Sequence, residues 1–250
     1  MLPRFVKANV KAIMQQNPAL FNPIWERVYP ILRRGDGRYA ANGGGSMEEV
    51  FTRIYDGNGW GSRETRSGYT SELGYTRVVR GHIERLLRDY KVRVFFDCPC
   101  GDFNWMSKVR LPEDTRYIGG EIVPELVADL ERRYHDGRHD FVRLNIVDDP
   151  LPQADMWMCR TVLFHFPNAE VIKVLRNFAR SPVGLLLATQ YEFPKENADV
   201  ETGGFRPYNL RLPPFNLPPP LARVPDFVAP APPRYLALWS RAQVASALRD

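Results

Sequence analysis

The residues best suited to chemistry cluster near the middle of the chain. Asp97, Gly101 and Asp102 fall within Asp-Cys-Pro-Cys-Gly-Asp, and Glu121 follows Gly101 by 20 residues (121 − 101). Dinucleotide-type folds place the acid that accepts hydrogen bonds from ribose hydroxyls about 20 residues past the turn glycine. The turn carries one glycine, so it lacks the G-x-G-x-x-G that lets backbone approach a pyrophosphate. That disfavours a nicotinamide or flavin dinucleotide. A nucleoside ligand without phosphates suits the same acids.

Positioning these groups requires a βαβ unit. Residues 92–96 are almost all β-branched or aromatic and stop at an acid, a proline and a glycine, which reads as a buried parallel strand entering a tight turn. The spacing of Phe103, Trp105, Met106 and Val109 predicts a helix after the turn, and residues 117–120 form a second strand closing on Glu121. Open α/β sheets bind small molecules outside the carboxyl ends of their strands, where a following helix also offers free N–H groups. Periodicity adds helices over 48–55, 76–90, 124–134 and 169–180, the last with Asn168 as N-cap, and a short helical tail from Ala242. Further strands are expected over 141–146, 156–159, 183–189 and 235–239. The predicted class is α/β, a doubly wound, mostly parallel sheet with helices on both faces.

Strand, Asp-x-x-Cys-Gly-Asp turn, helix, strand and terminal acid resemble the first two motifs of class I S-adenosylmethionine-dependent methyltransferases. The wording Asp-Cys-Pro-Cys-Gly-Asp-Phe-Asn-Trp-Met is similar to a narrower group of small bacterial methyltransferases. The resemblance covers most of the chain after Met47 and implies a Rossmann-like class I methyltransferase fold with S-adenosyl-L-methionine as cofactor. It implies that Asp97, Cys100, Gly101 and Asp102 face the methionine part, while Glu121, with Ile122 beside it, holds the ribose. Pro99 stands where many members carry glycine. After the third strand, Asn145, Ile146 and Asp148 are the implied neighbours of the adenine. Asn145 replaces the more usual Asp, yet an amide can both accept from the adenine amino group and donate to a ring nitrogen. Without the family, Asn145 reads equally as a strand-end turn residue.

In the same family the end of the fourth strand faces the transferable methyl, which makes Arg160, Thr161 and His165 the polar groups nearest the reaction. Histidine can take a proton near neutral pH, and an acceptor hydroxyl must lose one as it attacks. His165 lies between Phe164 and Phe166, so a packed core residue bonded to a backbone carbonyl is the competing reading. Arg160 needs a carboxylate or an anionic substrate group, because a buried lone guanidinium is costly.

Residues 1–45 read as a helical N-terminal extension, with helices over 5–14 and 24–32 before a glycine-rich junction. It is expected to pack on the domain formed by residues 46–250; dimerisation or substrate capture is the sharper alternative. Residues 62–75 are polar and punctuated by glycine, either a lid with Trp60 and Tyr69 shielding the site or an ordinary loop anchored by a buried Trp. The segment 195–233 is rich in proline, but Phe205, Tyr208, Leu210, Phe215 and Leu217 give it too much apolar surface for a solvated linker. The resemblance places its Asn-Leu-x-x-Pro-Pro-Phe-Asn pattern on the substrate side, with Tyr208, Asn209 and Asn216 as acceptor contacts.

With 250 residues, 44% hydrophobic and 25% charged, the chain is sized for one α/β domain with decoration. No apolar run approaches the roughly 18 residues that span a bilayer, and the N-terminus lacks the apolar region of a secretory signal, so a cytoplasmic location is expected. Three cysteines without a second paired motif predict neither a disulfide scaffold nor a metal site. The net charge of +5 comes from arginines scattered among acids, which argues against a nucleic-acid surface. The expected function is methyl transfer to a small-molecule or saccharide acceptor, with O-methylation foremost. An RNA methyltransferase of the same fold and a non-catalytic cofactor-binding or scaffold protein remain as alternatives.

Overall fold

The computed structural model describes residues 13–32, 44–229 and 231–249. Its frame is one sheet built from β1 (Val94–Asp97), β2 (Arg116–Glu121), β3 (His139–Arg143), β4 (Met156–Cys159), β5 (Leu185–Tyr191), β6 (Ala222–Pro225) and β7 (Arg234–Ser240). The strand order is β3-β2-β1-β4-β5-β7-β6. The first five strands are parallel, and β7 runs antiparallel to both β5 and β6. The order reverses between β1 and β4, so a crevice opens there at the carboxyl ends of the strands.

Side-chain alternation splits the core into two layers. Trp157, Cys159, Leu186 and Trp239 face one side, where they meet Val171, Val174, Leu175 and Phe178 of α5 (Asn168–Arg180). Met156, Met158, Leu187 and Leu238 face the other, against α3 (Leu73–Asp89) and α4 (Pro124–Tyr134). Two-residue periodicity on strands buried at both faces requires this arrangement, so the central strands are apolar throughout. Further helices are α1 (Asn22–Leu32), α2 (Met47–Asp56) and α6 (Arg241–Ala247), and residues 13–16 are also helical. Capping boxes open α2, with Ser46 and Glu49, and α6, with Ser240 and Gln243.

The structure corrects the expected elements at several points. No α-helix follows β1; turns lead instead to one 3-10 turn over Met106–Lys108. Phe103 adopts φ +58°, which departs from the helical path, and its ring packs against Tyr117, Tyr134 and Phe141 at 5.1, 5.0 and 5.2 Å. The third strand ends at Arg143, because Asn145 starts a turn by accepting from the Val147 N–H. Asn168 does not cap α5. Its side chain donates to the Asn197 carbonyl and accepts from Arg206.

Ordering of the proline-rich segment takes place through burial: Tyr208, Leu210 and Phe215 are fully enclosed, and β6, absent from the expected elements, emerges at its end. The N-terminal extension packs on the main body where Gln15 bonds the Phe227 carbonyl and the Ala229 N–H. Most of the helix expected over 5–14 and most of the glycine junction lie outside the described residues. Among the described residues no helix is long and apolar enough to cross a membrane.

Candidate active site

A cavity of about 460 Å³ lies at the carboxyl ends of β1, β2, β4 and β5, within the ~300–1,000 Å³ range of small-molecule sites. Glu121 closes β2 and borders it. One carboxylate oxygen accepts from the N–H groups of Ile122 (2.8 Å) and Val123 (3.4 Å), the other from Gly101 (3.1 Å). Burial pushes the Glu121 carboxyl up, opposed by these three backbone donors. Two carboxylate oxygens offer about four acceptor positions, so capacity remains for a ligand.

Asp97, at the tip of β1, accepts from the Tyr117 hydroxyl at 2.8 Å. Burial raises its carboxyl to about 7, against the pull of Tyr117 and Arg160. Cys98, Cys100 and Cys159 are free, buried thiols that burial keeps protonated. Among the described residues no group of His, Cys, Asp and Glu is arranged to hold a metal.

Asp102 does not face the cavity. Its carboxylate accepts from the Thr65 hydroxyl (2.7 Å), the Arg66 N–H (3.0 Å) and the Ser67 hydroxyl (3.0 Å), and the Ser67 oxygen accepts from the Asp102 N–H. The polar loop before α3 is thereby fastened over the turn, and Ser67, Gly68, Tyr69 and Thr70 roof the cavity. Gly101 makes this docking feasible: its φ is +56°, and a Cβ there would lie 2.2 Å from the Ser67 oxygen.

At the end nearer β3, Ile122, Leu144, Asn145 and Ile146 line the cavity with Met47 and Phe51. At the other end His165 is buried, with its ring 4.4 Å from that of Trp60 and Nδ1 2.5 Å from the Gly204 carbonyl oxygen. A carbonyl only accepts, so Nδ1 carries the proton and Nε2 is the acceptor. Burial lowers the His165 pKa to about 4. Arg160, also buried, donates to both carboxylate oxygens of Asp226 (3.1 and 2.8 Å) and to the Thr70 carbonyl (2.8 Å). Thr161 beside it has φ +56°.

Asp97, Cys100, Gly101, Glu121, Ile122, Asn145, Ile146, Arg160, His165, Trp60 and Tyr69 therefore share one cavity. Tyr208, Asn209 and Asn216 do not border it. Tyr208 donates to the Thr189 carbonyl, Asn209 accepts from Gln190, and Asn216 is an exposed turn residue with φ +52°. Sequence reasoning missed Tyr75, Tyr191 and Arg234 in the lining, and Asp226 behind it. The available signal was Arg234 itself, a charge directly before a run of five apolar or aromatic residues.

The sheet order, the single reversed strand and a cavity at the switch point define a class I methyltransferase fold. No protein-family model and no curated protein matches the sequence; solved structures resemble the fold. Human N-acetylserotonin methyltransferase in complex with S-adenosylmethionine aligns with a TM-score of 0.54 and 17% identity, over 87% of this chain and 66% of that one. Magnesium protoporphyrin IX methyltransferase from Synechocystis PCC 6803 gives 0.55 and 13%, over 80% and 99%. The 1,6-didemethyltoxoflavin-N1-methyltransferase of Burkholderia thailandensis gives 0.54 and 15%, over 78% and 85%. At these identities the shared property is the fold.

Proposed function

We propose that this chain is an S-adenosylmethionine-dependent methyltransferase whose acceptor is a small molecule, with oxygen the first candidate nucleophile. The observation that carries the reading is Glu121: a buried carboxylate with spare acceptor capacity, at a strand tip beside the switch point, bordering a cavity of ligand size. Ribose hydroxyls are donors that fit it. Ile122, Ile146, Met47 and Phe51 offer apolar walls for a purine, and Asp97 offers a carboxylate for an ammonium group. The donor supplies an electrophilic methyl on a sulfonium.

The chain's own task is placement. An in-line attack needs the nucleophile near roughly 3 Å from the methyl carbon, and holding it there supplies much of the rate. Ser67 to Thr70 roof the cavity, and the Trp60 ring packs on the His165 imidazole. Nε2 of His165 is free to accept the acceptor's proton, although burial, which lowers its pKa to about 4, makes it a weaker base than an exposed imidazole. Arg160, committed to Asp226 and Thr70, ties the loop to the β4 end. A cavity of about 460 Å³ supports an acceptor that is a small molecule or a sugar unit beside the donor.

The test is transfer of radiolabelled methyl from S-adenosylmethionine into cell extract fractionated into small molecules, polysaccharide, RNA and protein. Label in the small-molecule fraction is expected. Label confined to RNA or protein overturns the acceptor assignment.

A further inference from the structure

Beyond β4 the cavity wall holds a buried cluster of charges. Asp226, whose side chain is fully buried, is shared by two buried arginines: Arg160 at 2.8 Å and Arg234 at 3.3 Å. Arg234 also donates Nε–H to the Asp226 backbone carbonyl at 2.8 Å. Two guanidinium groups share the one carboxylate of Asp226. Tyr75 and Tyr191 flank Arg234, the Tyr191 hydroxyl accepting a hydrogen bond from its guanidinium, and both stay neutral, since burial raises both hydroxyls. Asp97, which accepts from the neutral Tyr117 hydroxyl, acts on Arg160 from β1 when ionised.

One atom marks where a partner is missing. Among the described residues Nη2 of Arg234 is buried and has no hydrogen-bond partner, on a residue only 6% exposed that lines the cavity. The Tyr75 ring, 5.5 Å from the guanidinium carbon, offers a cation–π contact worth ~0.5–2 kcal/mol. That is less than the several kcal/mol by which desolvation penalises an ion. Asp226 and Tyr191 occupy other parts of the guanidinium, so Nη2 is the donor an anion in the cavity would satisfy.

The anion's source follows from the sheet. Arg234 pairs with Tyr191 at the start of β7. Its backbone is four strand spacings from Glu121 by way of β1, β4 and β5, roughly 19 Å. It lies on the side of β4 opposite the ribose-binding end.

We propose that the Arg160–Asp226–Arg234 cluster is an anion subsite that selects an acceptor bearing a carboxylate, taken up past Tyr69 and Tyr75. This rests on the methyltransferase reading for the identity of the acceptor, but the subsite can be tested without turnover. The full chain loaded with S-adenosylhomocysteine is titrated with acetate, benzoate and 4-hydroxybenzoate, each against its neutral amide, by saturation-transfer NMR and melting shift. At least one carboxylate is expected to bind about tenfold more tightly than its amide, as a charge-assisted hydrogen bond provides. Arg234→Gln should erase the preference and Arg234→Lys retain part of it, both holding S-adenosylhomocysteine as wild type does.

No preference in wild type for any of the three pairs overturns the inference, as does a preference that survives Arg234→Gln. A parallel loss of S-adenosylhomocysteine affinity in Arg234→Gln assigns the charge to the donor's own carboxylate and overturns it equally. Should Arg234→Gln fail to fold, the wild-type comparison and Arg234→Lys decide. Wild type that binds no S-adenosylhomocysteine removes the methyltransferase reading, and the carboxylate–amide comparison on the unloaded chain then judges the subsite alone.

Discussion

The carboxylate of Asp102 lies 2.7 Å from the hydroxyl of Thr65, and through that contact the turn after β1 holds down the loop that roofs the cavity. The motif's second acid thus serves the loop, while its first, Asp97, borders the ligand space. Asp102→Ala removes the acceptor for Thr65, Arg66 and Ser67 together. Loss of a charged acceptor from part-buried donors costs about 1.5–3 kcal/mol. The expected outcome is faster proteolysis within residues 62–71 and a raised Kd for S-adenosylhomocysteine; unchanged proteolysis would show that the loop is held by other contacts.

Gly101→Ala attacks the same junction from the backbone side. The new Cβ meets the Ser67 oxygen at 2.2 Å, and φ +56° is itself strained for alanine, at a cost of about 1–3 kcal/mol. Combining it with Ser67→Ala relieves the 2.2 Å contact, leaves Cβ–Cβ at 3.0 Å and loses the Ser67 bonds to Asp102. Both variants should therefore melt below wild type.

Cofactor affinity should depend on pH through Asp97. Its carboxyl sits at about 7 in the free chain, and a cationic ligand favours the ionised form. Binding then releases a proton, so affinity falls as pH drops from 8 to 6, by about tenfold for one linked group. Calorimetry in two buffers of different ionisation enthalpy measures this release. Asp97→Asn should abolish both the release and the pH dependence.

His165→Ala is expected to leave S-adenosylhomocysteine binding intact and to slow transfer by roughly a hundredfold, the usual worth of a general base. Its folded pKa of about 4 lies below the ordinary 6.5. Between these values the unfolded chain binds the extra proton, so the stability contributed by this group is complete above 6.5 and declines as pH falls toward 4. With S-adenosylmethionine saturating, so that Asp97 no longer limits, the acid limb of kcat/KM for the acceptor belongs near 4; a limb at 6.5 would point to another group.

Strands and their acids were legible because apolar runs bounded by turn residues have few other solutions: β4 and β5 lie where such runs stand, and Glu121 closes β2. The missing helix after β1 was not, since Phe103, Trp105 and Met106 satisfy helical spacing yet turn inward through a left-handed residue. The acceptor end was illegible for a different reason. Arg160 is brought to Asp226, 66 residues away, and so to Arg234, by strand pairing, and no local pattern records it. Tyr208 and Asn209, chosen by wording, turned out to be spent on holding the proline-rich segment to β5.

The central claim is that Glu121 holds the ribose of a sulfonium donor, and calorimetry with S-adenosylhomocysteine on wild type and Glu121→Ala tests it most directly. Wild type should bind one equivalent, and a folded Glu121→Ala should bind about 100-fold more weakly, as loss of charged hydrogen bonds implies. Absence of heat with wild type, or equal affinity in a Glu121→Ala variant, would contradict the account.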